Sequence, residues 1–180
     1  MSAPTTPAVW TLDPVHSRIG FTIRHAGVNL FRSEFKHPSG TLDAAPDGTF
    51  TLRGSAAISG LDVNSEELKA HLLSPDFFDA AAHPEITFAS EPFAATADGH
   101  LDLSGTLTIR GISRAVPAHG TLAVGAVDLY GNPRVGVALE TTIDRRDFGI
   151  VWSADLPSGQ PALADEVALD VNLAFVQQQG

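Results

Sequence analysis

The chain has 180 residues, 43% of them hydrophobic and 18% charged, which is enough for one domain with its own core and too apolar for a disordered segment. Eleven basic against twenty-one acidic side chains leave a formal net charge of −10, so phosphate backbones are repelled and no nucleic acid is expected as a partner. Cysteine is absent, which removes disulfide frameworks, thiolate catalysis and cysteine-based zinc sites together.

Residues 1–9 read as a loose polar tail, with neither the basic region nor the apolar run of a secretory leader. The chain is therefore expected to be cytoplasmic, or periplasmic or secreted if a leader has been removed. No apolar run of roughly 18 residues occurs, so no transmembrane segment is expected. From Ile19 onward, apolar and polar residues alternate, the mark of half-buried strands. Ile19, Phe21 and Ile23 form the first such face, and a weaker segment follows around Glu34–Leu42. Asp47-Gly48 is a hairpin dipeptide, after which Phe50, Leu52, Gly54, Ala56 and Ile58 share a face.

A helical insert interrupts the pattern over about residues 65–80. Asn64 reads as its N-cap with Glu67 at the third helical position, Leu68 and Leu72 lie four apart, and Pro75 stops it. Phe77 and Phe78 follow, and His83-Pro84 closes the insert. Alternation then resumes at Ile86 and Phe88. After Asp98-Gly99 it continues through Leu101, Leu103, Gly105, Leu107 and Ile109. A weaker stretch over Val116–Leu129 leads to the loop Gly131-Asn132-Pro133. The last strands carry Val135, Val137, Leu139, Thr141 and Ile143, then Val167, Leu169, Val171, Leu173 and Phe175. About eight strands result, joined mainly by short hairpins and hence antiparallel. The expectation is an all-β domain over 10–176, either a sandwich or a closed antiparallel barrel of about eight strands, with loose ends at 1–9 and 177–180. Closure removes exposed edges and leaves room for side chains or one ligand. Gly54 and Gly105, reading inward, either free internal volume or mark bends.

No catalytic constellation stands out: there is no nucleophile elbow, zinc-protease motif, phosphate loop or dinucleotide fingerprint. The histidines at positions 16, 25, 37, 71, 83, 100 and 119 show no metal-ligand spacing, so neither catalytic nor metal-binding residues are expected. Glu66 and Glu67 read as helix-start charges. Arg145, Arg146 and Asp147 read as a group pinning a strand end.

Several runs together carry a resemblance. Trp10 to His25 (WTLDPVHSRIGFTIRH), His71 to Asp79 (HLLSPDFFD), His83 to Ser90 (HPEITFAS), Gly105 to Ser113 (GTLTIRGIS) and Thr142 to Gly149 (TIDRRDFG) occur in the order seen in the YceI-like family of lipocalin-like polyisoprenoid-binding proteins. The chain departs from the family pattern at Lys69-Ala70, where a basic–acidic pair is usual, and in lacking the leader that many members carry. The resemblance decides for the barrel: it implies an all-β, eight-stranded antiparallel lipocalin-like β-barrel holding a long-chain isoprenoid lipid, of polyprenyl or quinone type, as a non-enzymatic carrier or store, with no cofactor besides that amphiphilic ligand. Ile19, Phe21, Ile23, Phe88, Leu107, Ile109, Leu139 and Phe175 are the expected lumen residues, and Phe77 and Phe78 the expected gate or end wall. His16, Ser17, His25 and Arg145 are the polar positions expected to orient strands or meet a headgroup. A homodimer fits this reading. Two alternatives remain open, an enzyme using the cavity on lipid-like substrates and a stress-response interaction module with a filled core.

Overall fold

Every second residue from Leu101 to Ile109 is buried in the computed structural model, which describes residues 7–177. The same alternation builds strands β1 (Ala8–Leu12), β2 (Arg18–His25), β3 (Asn29–Phe35), β4 (Ser39–Ala44), β5 (Phe50–Ala57), β6 (Leu61–Asp62), β7 (Glu85–Ser90), β8 (His100–Ile109), β9 (Ile112–Val127), β10 (Pro133–Asp144) and β11 (Leu163–Gln177). All pairings are antiparallel, and the order β1-β4-β5-β7-β8-β9-β10-β11 returns to β1. The ring is a closed eight-stranded barrel. The remaining segments are continuations: β1 runs on into β2, β3 into β4 and β5 into β6, each as one broken stave.

The breaks have local causes. Pro14 has no N–H to give a ladder, and Asp13 turns the chain there by accepting the Val15 N–H at 3.0 Å. Ser17 Oγ then takes the Ala174 N–H at 3.0 Å, standing in for a lost ladder bond. Between β3 and β4, His37 adopts φ +54° ahead of Pro38, which explains why this segment reads weakly. A 3-10 turn, Ile58–Gly60, separates β5 from β6. At the chain ends, Ala8, Val9 and Gln177 belong to strands rather than tails; residues 1–6 and 178–180 lie outside the described region.

Residues 63–84 carry the insert, whose single α-helix, α1, spans Glu66–Leu73. Its N-cap is Ser65 and not Asn64: the Ser65 backbone is extended and its Oγ accepts the Leu68 N–H at 3.2 Å. That places Leu68, not Glu67, at the third helical position, so no capping box forms. After Pro75 the insert continues as turns rather than helix. Arg110, in the β8–β9 turn, donates to the carbonyls of Pro75 and Phe77 and so ties the insert to the barrel rim.

The apolar side chains gather in two clusters. One, at the end where β1 pairs with the last residues of β11, packs Trp10, Leu42, Leu103, Leu139 and Phe175 among others. The other, at the insert end, contains Phe35, Ile58, Leu72, Phe77, Ile109 and Phe148.

Candidate functional site

The insert end is hollow. A cavity of about 440 Å³ lies there, within the roughly 300–1,000 Å³ usual for ligand sites. Its walls follow from the period-two faces. Ile19, Phe21 and Ile23 come from β2, Phe31 and Phe35 from β3, Ile109 from β8, Ile143 from β10, and Leu163, Val167 and Leu169 from β11. Aromatic rings run across one wall: Phe21 meets Phe31 and Phe35 at centroid distances of 6.2 and 5.8 Å, and Phe35 meets Phe78 edge-on at 5.7 Å.

The insert and the segment after β10 complete the enclosure. Leu68, Leu72, Phe77 and Phe78 face inward from the insert, and Phe148, Ile150 and Trp152 from the other segment. The two meet where Phe77 and Trp152 lie 5.3 Å apart, with the His71 ring edge-on to both at 5.0 and 5.1 Å. His71 Nε2 is hydrogen-bonded to Asp76 at 3.1 Å, which holds the ring in that position.

Arg145 fixes this second segment. It begins a 3-10 turn, Arg145–Phe148, and is only 5% exposed. Its Nε donates to Ala164 O at 2.9 Å, Nη1 to Ile150 O and Trp152 O at 2.8 Å each, and Nη2 to Asp165 at 3.1 Å. A guanidinium has five N–H groups, and these bonds occupy all but one. The buried charge is thus a staple for the wall. Next to it, the Arg146 side chain and backbone N–H hold the Asp144 carboxyl down at about 2. At the packed end, Arg134, followed by His16, lowers Asp13 to about 2. Arg134 bridges Asp13 and Asp128 at 2.6 and 2.8 Å, linking the break between β1 and β2 to the loop before β10.

Polar side chains in the lining are few: His25 and Asn29 at the neck of the β2–β3 turn, His71, and Arg145. Among the described residues no group of three His, Cys, Asp or Glu is placed to hold a metal. An apolar chamber with a hydrogen-bonding rim suits a mainly hydrocarbon ligand with a small polar end.

The profile of the YceI-like domain matches residues 10–175. The chain belongs to the YceI-like family. The UPF0312 protein of Pseudomonas fluorescens is 31% identical over 166 residues, covering 91% of this chain and 83% of the relative. Among solved structures, Burkholderia cenocepacia BcnA superposes with a TM-score of 0.75 at 20% identity, covering 91% of this chain and 98% of the other. A polyisoprenoid binding domain from Saccharophagus degradans gives a TM-score of 0.72 at 14% identity, covering 95% and 99%. At these identities the two structures speak to the shared barrel alone.

Of the residues singled out in the sequence of this YceI-like chain, Ile19, Phe21, Ile23, Phe77, Phe78, Ile109, His25 and Arg145 line the cavity. The others are placed elsewhere. Leu139 and Phe175 face inward but lie in the packed end, 6% and 0% exposed. Leu107 is buried in the core beside the cavity without lining it. Phe88 lies between the two clusters and packs against both. His16 is on the surface beside Asp13 at 2.8 Å, and Ser17 is the strand pin already described. Gly105 frees no volume, because a Cβ there would run into the Phe88 ring.

Sequence reasoning missed several lining residues. Ile143, Val167 and Leu169 already stood on inward faces and needed only a depth along the barrel. Ile150 and Trp152 lie in a segment with no periodicity, and their signal was a Trp held in an irregular stretch.

Proposed function

We propose that this protein binds a single isoprenoid lipid in its cavity and carries or stores it without chemical change. The observation that carries the reading is the 440 Å³ apolar cavity, walled by aliphatic and aromatic side chains and polar only at a few positions. Burial of hydrocarbon is worth about 0.8 kcal/mol per CH₂ against water, so a prenyl chain has ample driving force to enter. The polar groups support binding over catalysis: Arg145 is committed to backbone carbonyls and Asp165, and His71 to Asp76 and two rings. The name of the Saccharophagus degradans neighbour, a polyisoprenoid binding domain, points to the same ligand class.

Arg145 is the one arginine or lysine in the lining, and its N–H groups are largely taken. A neutral polar end, such as an alcohol or a quinone, therefore fits the rim better than a phosphate, which would need a free cation. The test is organic extraction of the purified protein with mass spectrometry, followed by titration with geranylgeraniol and geranylgeranyl diphosphate. The expected result is a co-purifying prenyl compound and tighter binding of the alcohol. A protein that yields no lipid and binds neither compound contradicts the proposal.

A further inference from the structure

Along the β1/β2 stave, the lining runs from His25 down to Ile19, about 20 Å of strand, while Leu12 and Trp10 further down are packed at 6% and 7% exposure. Along β10, Ile143 lines the cavity, whereas Leu139, Val137 and Val135 are packed at 6%, 2% and 2%. The lumen is therefore divided at one level. Two partly buried residues, Ile19 and Phe88, touch both the packed and the hollow cluster. Phe88 reaches this level because Gly105, diagonally across the β7–β8 pair, has no side chain: the ring occupies the space its Cβ would fill. The two segments Gly105–Ser113 and His83–Ser90 thus combine to lay an aromatic ring over the neighbouring strand at Gly105.

We propose that Ile19, which lines the cavity, and Phe88, laid over Gly105 just outside the lining and packed like Ile19 against both clusters, form a floor that measures the ligand. The site then takes short prenyl chains and excludes long polyprenyl tails from the lower barrel. This rests on the lipid-binding reading above and specifies its ligand. A tail longer than the chamber has to leave carbons in water at the mouth. Withholding two methylenes from burial weakens binding about tenfold.

The experiment compares farnesol, geranylgeraniol and solanesol by competition against one fluorescent lipid probe, on the wild type and on Phe88→Ala, Phe88→Leu and Ile19→Phe. The wild type is expected to prefer geranylgeraniol over solanesol by about tenfold or more. Phe88→Ala is expected to narrow that preference by adding the space over Gly105 to the chamber. Phe88→Leu, which keeps an apolar core residue, moves in the same direction and covers the case in which the alanine variant does not fold. Ile19→Phe raises the floor and shifts preference toward farnesol. Solanesol binding as tightly as geranylgeraniol in the wild type, or unchanged ratios in the folded variants, overturns the floor and leaves lipid binding standing. Failure of all three alcohols to bind overturns lipid binding, and the floor with it.

Discussion

The two ends of the barrel are built from the same staves with the same alternation, yet one is solid and the other hollow. In the packed end, the ladder closes completely through the β1–β11 pairing, and inward side chains from opposite walls meet. In the hollow end, β6 pairs with β3 alone, and the wall between β6 and β7 is supplied by the insert instead of a strand. The interior enclosed by this helix and its turns is not filled. Interior volume in this fold is thus decided by what completes the ring at each level, while the pattern along a strand decides only which side chains face inward.

The comparison breaks most readily at Phe175, which is fully buried in the packed end. Phe175→Ala is expected to cost about 3–5 kcal/mol in urea unfolding, while lipid affinity in the surviving folded protein stays unchanged. Arg145→Lys keeps the charge but not the fork that binds three carbonyls. It is expected to cost about 2 kcal/mol and to expose residues 149–162 to limited proteolysis, at the hollow end only. Phe21→Ala should show the opposite balance to Phe175→Ala. The ring is half-buried against an existing void, so stability falls by about 1 kcal/mol, whereas prenyl alcohol binding weakens measurably. Equal stability losses at Phe21 and Phe175 would remove the distinction between the two ends.

Acid tests the pins at both ends. Asp13 and Asp144 each have a folded pKa of about 2, below the roughly 3.9 of an unfolded aspartate. Because the folded value is depressed, their contribution is complete above about pH 4 and is lost as pH falls through about 2. Unfolding followed by circular dichroism should steepen across that window. Asp13→Asn should flatten the curve there, and a curve identical to wild type would remove Asp13 from the account.

Much of this architecture was legible in the sequence because β-strand burial repeats every second residue. The run from Leu101 to Ile109 shows that most clearly, being buried at each expected position. Helix location was also legible, and its cap was off by one because Asn64 and Ser65 are both good caps and only backbone geometry separates them. Depth was not legible. Ile143 and Leu139 share a strand, a face and a chemistry, yet one lines the cavity and the other is sealed in the plug. The difference arises from staves far apart in sequence, through the level set by Phe88 and Gly105. For the same reason His16 and Ser17, adjacent to the hollow wall in sequence, serve the break in the β1/β2 stave instead.

The chain has two tryptophans, and the fold puts one in each end: Trp10 in the packed cluster and Trp152 in the cavity wall. Titrating geranylgeraniol into Trp10→Phe reads Trp152 alone, and into Trp152→Phe reads Trp10 alone. A saturable change in Trp152 emission with a silent Trp10 is the result expected of a lipid confined to the hollow end. A response from Trp10 of equal size and midpoint would mean that the ligand threads the whole barrel, and would contradict the division on which this account depends.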